Sequence, residues 1–301
     1  MAARTRRPRH PARRRLIPAA RAVEIAELAE AVADEHCPAG SVEPRTIAAA
    51  KGVTLSFGHY GEAFDGMLEH RAGRFHIYAN LDRLGDGESP RARFTLAHEL
   101  GHFYIDEHRH ALAAGRAAPH PSQCDHESPI LAEQEADLFA ANLLMPTSRF
   151  AGKARAATPG LEGVRKLAEA FGTSLTSTAI RYAACDALAC AVLKWDPSGC
   201  AWKCLSSGAL AMRFGRTVQA PAGLAPGSPT ARALAREKPP ECGYFQAGTV
   251  AAAWFRRVKP GDFRDVLLIE QAIGLGRWGV LTLLHVAGGL PSRPTGREKP
   301  A

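Results

Sequence analysis

The stretch Arg93-Phe94-Thr95-Leu96-Ala97-His98-Glu99-Leu100-Gly101-His102-Phe103 decides how the rest of the chain is read. A helix turns about 100° per residue, so His98 and His102, four apart, stand one above the other and can reach a single metal ion. Glu99 lies only modestly round the same side and stays available as a base, the pattern expected of a zinc-dependent peptidase. Ser89-Pro90 supplies an N-cap and a first-turn proline, and Phe94, Leu96, Ala97, Leu100, Gly101 and Tyr104 recur at helical spacing. Gly101 costs a helix about 1 kcal/mol against Ala, which predicts a closely packed neighbour there. The competing reading is a buried helix with two satisfied core histidines.

A catalytic zinc site needs a third protein ligand and an open position. Downstream, Leu131 to Met145 reads as a second helix, stopped by Pro146. Glu133 and Asp137 are four apart and share a face, whereas Glu135 is about 200° round from Glu133. Glu133 is therefore the expected ligand, and Asp137 the carboxylate expected to accept the other N–H of a ligating histidine. Glu135 stays open as the alternative ligand, since a local bend would bring it in. Otherwise it fits a solvated acidic face. Leu131, Leu138, Ala141 and Met145 are expected to bury the remainder of this helix.

Arg93 to Phe103, then Glu133 to Asp137, then Phe139-Ala140-Ala141-Asn142-Leu143-Leu144-Met145-Pro146 resemble the ImmA/IrrE family of bacterial metallo-endopeptidases. The likeness extends from about Val23 to Trp195 and includes the hairpin ending at Tyr78-Ala79-Asn80. It implies a gluzincin-like ligand set holding Zn²⁺, and a zincin-like helical protease domain with a small β-sheet. Several members act on helix-turn-helix repressors, so the resemblance implies a protein substrate of that kind.

The chain has 301 residues, 46% of them hydrophobic, enough for a substantial core and two domains. No run of 18 apolar residues is present, so no membrane span is expected. Met1 to Arg15 carries seven Arg and no acid, without the apolar core of a secretory signal. Those seven charges account for most of the formal +8, leaving about +1 for the folded body, so the basic balance says little about the enzyme surface. The tail is expected to be a disordered solubilising arm, with nonspecific nucleic-acid affinity as the other reading. Seven cysteines, Cys37, Cys124, Cys185, Cys190, Cys200, Cys204 and Cys242, include no Cys-x-x-Cys pair and read as cytoplasmic free thiols. A second zinc site from Cys185, Cys190, Cys200 and Cys204 is the weaker alternative. His108, His110, His120 and His126 fall in a polar, Pro-bearing connection and read as solvated loop histidines.

Upstream, Val23 to Ala33 and Pro44 to Lys51 read as helices, Val53 to Phe57 as a strand, and Gly66 to Glu69 with Arg74 to Tyr78 as a hairpin about Arg71-Ala72-Gly73. An edge strand of this sheet could pair with an extended substrate. His59, Tyr60, His76 and Tyr78 are unranked candidates to stabilise an oxyanion.

Leu161 to Ala184 has helix-turn-helix spacing. Its Ser174, Thr176, Ser177 and Arg181 make a DNA reader the alternative function, though few side chains there suit base edges. Packing is the plainer reading. From Ala189 onward short apolar runs, Ala189 to Trp195, Ala201 to Leu205, Val250 to Phe255, Val266 to Glu270 and Val280 to Val286, suggest strands around the Pro- and Gly-rich stretch Ala220 to Pro240. The expected organisation is α+β: a tail over 1–22, a zinc metallopeptidase domain over 23–188, a smaller α+β or β-rich C-terminal module over 189–288, and a polar tail over 289–301. The expected function is selective cleavage of a cytoplasmic helix-turn-helix repressor by His98, Glu99, His102 and Glu133, with no membrane partner.

Overall fold

The computed structural model describes residues 17–116, 120–122, 130–208, 224–255 and 266–287. The expectations for the basic N-terminal arm, for Cys124, for His126 and the His120 side chain, and for the C-terminal tail lie outside the described residues. The fold is mixed α+β, with one small sheet in each of two compact units: Met1–Thr147 with Ala170–Thr173, and Ser148–Glu169 with Ser174–Ala301.

In the first unit, α1 (Ala19–His36) and α2 (Pro44–Ala50) precede β1 (Thr54–Gly58), β2 (Gly66–Arg71) and β3 (Arg74–Asn80). The β2–β3 hairpin turns at Ala72-Gly73, both at positive φ (51° and 77°), as the twist of a two-residue hairpin demands. β1 runs parallel to β3, and β4 (His120–Ser122) adds antiparallel to β2, giving the order β1-β3-β2-β4. Among the described strands β1 and β4 are thus the edges, a point the sequence left open. After α3 (Leu81–Leu84), the helix α4 (Pro90–Tyr104) starts as expected, with Ser89 Oγ accepting from Ala92 N at 3.1 Å and Pro90 in the first turn. Ala92 and the run from Phe94 to His102 are buried, so α4 is the central element of this unit's core.

α5 (Asp106–Ala113) and α6 (Leu131–Leu144) follow. Gly101 does what its presence predicts: a Cβ there would lie 3.1 Å from Ala136 Cα and 3.3 Å from Phe139 Cβ, so its absence lets α4 and α6 close together. The buried apolar residues of α6 are Ala136, Phe139, Ala140, Leu143 and Leu144, while Leu131, Leu138 and Ala141 are only half-buried. Met145, at the end of the helix, is buried as expected, and the rest of the face differs because α6 packs against both α1 and α4.

In the second unit, α7 (Thr147–Ala156), α8 (Leu161–Phe171) and α9 (Leu175–Ala184) lead into β5 (Cys190–Asp196) and β6 (Gly199–Leu205). α10 (Pro229–Leu234), β7 (Phe245–Val250), α11 (Ala251–Trp254), β8 (Leu267–Gly274) and β9 (Val280–Val286) complete it. The sheet is antiparallel in the order β6-β5-β9-β8-β7. Every residue of the central strand β9 is buried, consistent with its nearly unbroken apolar sequence. Val250 to Phe255 is not a strand: β7 ends at Val250 and Ala251-Ala252-Ala253-Trp254 coils into α11, as an alanine run favours. Buried polar groups here satisfy one another, with Trp195 Nε1 donating to Thr282 Oγ1 at 2.9 Å and Thr230 N donating to Glu270 Oε1 at 2.8 Å.

Candidate metal centre

α4 and α6 deliver the site. His98 and His102 sit one helical turn apart on α4, with Nε2 atoms 3.2 Å from each other. Glu133, in the first turn of α6, places Oε2 3.4 Å from His98 Nε2 and Oε1 3.2 Å from His102 Nε2. All three residues are buried, and one ligand atom from each lies within 4.8 Å of the others. No other group of this kind is found among the described residues, so Cys185, Cys190, Cys200 and Cys204 do not gather into a second centre. Neither those four nor Cys37 and Cys242 form a disulfide.

Each histidine has a second partner on its far nitrogen. His98 Nδ1 lies 2.9 Å from Asp137 Oδ1. An ionised carboxylate only accepts, so this contact places a His98 proton on Nδ1 and turns Nε2 toward Glu133. His102 Nδ1 lies 3.2 Å from His108 Nδ1, and His108 Nε2 lies 3.1 Å from Glu135 Oε2. Two sequence expectations are corrected here. Glu135 is not on a solvated face: it is 6% exposed and held by Arg21, whose Nε and a terminal nitrogen lie 3.2 and 3.3 Å from its oxygens. His108 is not a solvated loop residue either. It stands on α5, with its side chain 10% exposed.

The electrostatics favour a cation between the ligand atoms. Burial opposes charge on His98, but hydrogen bonds to Asp137 and Glu133 and the nearby Glu99 carboxylate together outweigh it and push its pKa up to about 10. Burial also opposes charge on Glu133, yet the hydrogen bonds from His102 and His98 hold its pKa well below the usual carboxylate range. Burial and then the adjacent His102 push His108 down to about 4.

Glu99 is fully buried beside the start of β2. Asp65 fixes that strand end, with its own carboxylate inaccessible and paired to Arg83 at 2.6 Å and Arg91 at 2.7 Å. Its neighbour Gly66 then approaches so closely that a Cβ would meet Thr95 Cγ2 at 2.5 Å and Glu99 Oε1 at 2.8 Å. Asp65 and Gly66 were missed in the sequence, where an Asp-Gly pair reads only as a turn signal.

The four oxyanion candidates have contacts of their own. His59 pairs with Asp82 at 2.7 Å, Tyr78 donates to Glu69 at 2.9 Å, and His76 Nδ1 lies 2.6 Å from Thr54 Oγ1. Tyr60 is 37% exposed and its ring packs on Phe64 and Tyr78. In the α8–α9 pair, Ser174 caps α9, and its hydroxyl lies 2.8 Å from that of Ser177. α9 packs on β5 and β6.

Residues 86–182 match the family model Peptidase_M78, the IrrE N-terminal-like domain. The matched segment contains α4, α6 and His98, His102 and Glu133, so a similarity to a metallopeptidase family falls on the residues that could hold a metal ion. The fold is similar to that of a solved structure titled Mycobacterium tuberculosis transcriptional regulator, with a TM-score of 0.55 and 12% identity over 87% of this chain and 76% of that one. At that identity the likeness concerns the fold alone. Comparison with curated proteins gave no match.

Proposed function

We propose that this chain is a zinc-dependent endopeptidase with His98, His102 and Glu133 as ligands and Glu99 as general base. The observation that carries the reading is the set of distances between ligand atoms. Two ligands each about 2.0–2.1 Å from a tetrahedral zinc lie roughly 3.3–3.4 Å apart; the two histidine Nε2 atoms here are 3.2 Å apart, and the Glu133 carboxylate brings one oxygen to 3.2 Å from His102 Nε2 and the other to 3.4 Å from His98 Nε2. The donor set of two imidazoles and a carboxylate suits zinc and leaves the fourth position for substrate or water.

When bound, the ion would polarise the scissile carbonyl and acidify water. The chain's own residues do the rest. Glu99 takes the proton of the attacking water and returns one to the departing amine. Asp65, by tethering β2, keeps Gly66 against the Glu99 carboxylate and so restricts where that carboxylate can point. Asp137 holds His98 in the tautomer that presents Nε2. Burial of Glu99 and His98 keeps these charge interactions strong by excluding water.

The substrate in this reading is a cytoplasmic helix-turn-helix repressor, cut selectively. A reducing compartment fits six cysteines outside any disulfide among the described residues. Among the described residues no helix is long and apolar enough to cross a membrane. The test compares cells carrying the wild type with cells carrying Glu99→Gln, seeking a transcription regulator whose fragment accumulates only with the wild type. If Glu99→Gln derepresses the same genes and the purified protein binds their promoters, the DNA-reader alternative replaces the protease.

A further inference from the structure

We propose that His108 is a positioning residue: a chain of contacts Arg21–Glu135–His108 sets the tautomer of His102 and thereby presents His102 Nε2 to the metal. This rests on the reading of His98, His102 and Glu133 as metal ligands and adds a residue outside that set.

The inference follows from which atoms can donate. The two Arg21 contacts mark Glu135 as the ionised partner of a guanidinium, and an ionised carboxylate only accepts hydrogen bonds. His108 Nε2, 3.1 Å from Glu135 Oε2, must then carry a proton. A neutral imidazole protonated at Nε2 has a bare Nδ1, and the atom facing that Nδ1 at 3.2 Å is His102 Nδ1. Two bare nitrogens would repel, so His102 carries a proton on Nδ1. With that proton held by His108, Nε2, 3.2 Å from Glu133 Oε1, is the nitrogen left to bind a metal. The same end state is reached at His98 by the single contact with Asp137. The two ligands on one helix are therefore oriented by different devices, a carboxylate directly for one and a histidine–carboxylate pair for the other.

The backbone shows why His108 can serve. On an unbroken helix a residue six positions on would point about 240° away. The helix breaks at Ile105, which has ψ 112° and is 2% exposed, and α5 begins at Asp106. That break folds His108 back toward His102, and their rings lie 5.1 Å apart between centroids. Arg21 arrives from α1, so the chain of contacts spans α1, α6, α5 and α4.

The experiment uses the full chain with zinc ion as probe, in wild type, His108→Ala and His108→Asn. Asn places an amide oxygen near the position of His Nδ1 and can accept from His102 without reaching Glu135. Zinc Kd is measured by chelator competition, and the site of the His102 ring proton by ¹⁵N NMR of the metal-free protein. The expected result is a zinc Kd raised about 10–100-fold in His108→Ala, the usual effect of removing a partner behind a ligand, with most of the affinity restored in His108→Asn. Metal-free wild type should carry a proton on His102 Nδ1, and His108→Ala should lose it. Unchanged zinc affinity in His108→Ala, or equal loss in His108→Asn, overturns the proposal. If the wild type binds no zinc, the metallopeptidase reading fails, yet the NMR measurement still decides this one: a proton on Nδ1 that depends on His108 supports it, and an Nδ1 without a proton in the wild type overturns it.

Discussion

Gly66 and Glu99 are in direct steric contact, since a Cβ on Gly66 would stand 2.8 Å from the Glu99 carboxylate oxygen. Thr95 Cγ2, on a short buried side chain, would be closer still at 2.5 Å. In Gly66→Ala the far end of Glu99 is therefore the part that yields. Peptidase activity should fall by a factor of about 100, the order reported for small misplacements of catalytic groups, while zinc content stays at wild-type level. Full activity in Gly66→Ala would show that the Glu99 position is not critical.

Glu99→Gln removes the base without removing a ligand. The variant should bind zinc as tightly as the wild type and lose proteolysis, with a general-base loss of at least about 10²–10⁴-fold. Cleavage retained by the pure variant would take the role from Glu99.

Glu133→Gln and Glu135→Gln should separate by zinc content. Glu133 reaches both histidines, whereas Glu135 faces His108 and Arg21. Elemental analysis should show the metal lost in Glu133→Gln, as in His98→Ala and His102→Ala, and retained in Glu135→Gln with weaker affinity. Zinc equally depleted in both would move the third ligand away from Glu133.

The metal-free chain should lose stability as pH rises. His98 is pushed from 6.5 to about 10 in the fold, so stabilisation from its proton is complete below pH 6.5 and is lost as pH climbs toward 10. Glu133 is held below its ordinary 4.5, so its contribution is present above that pH and is lost on acidification. His108, pushed down to about 4, contributes stability that is complete above pH 6.5 and lost as pH falls toward 4, so the metal-free Tm should peak near pH 6.5 and fall on the alkaline side, by about 2–4 °C for each kcal/mol lost. Zinc should raise Tm most at alkaline pH, because the ion replaces the proton. A flat alkaline limb in calorimetry would contradict the His98 assignment.

Gly101→Ala should destabilise the first unit. The added methyl would lie 3.1 Å from Ala136 Cα, a backbone atom of α6 with no rotamer to change. Overpacking of this kind costs about 1–3 kcal/mol. Chemical denaturation should show it, and a gain in stability would mean that α4 and α6 can part without loss.

The helices and strands nearest the site were legible because their signals are local. Ser89 and Pro90 announce the start of α4, the positions of Glu133 and Asp137 on one helix face follow from periodicity, and Ala72-Gly73 marks the hairpin. Gly101 was legible for a similar reason, since a glycine inside a helix needs a packing cause. Val250 to Phe255 was misread because short apolar runs suit a strand or a buried helix turn equally.

By itself the sequence determined that His98 and His102 share one helix face as candidate ligands, with Glu99 between them, and which helix face offers Glu133, because helical periodicity relates residues only a few positions apart. The tertiary structure alone decided the environment of Glu135, the return of His108 to His102 across the break at Ile105, and the seating of Gly66 against Glu99. Glu135 and Arg21 are 114 residues apart in the chain, and Gly66 and Glu99 belong to a strand and a helix. Contacts of that kind depend on how whole elements pack, and a buried charge is tolerated only where packing supplies its partner.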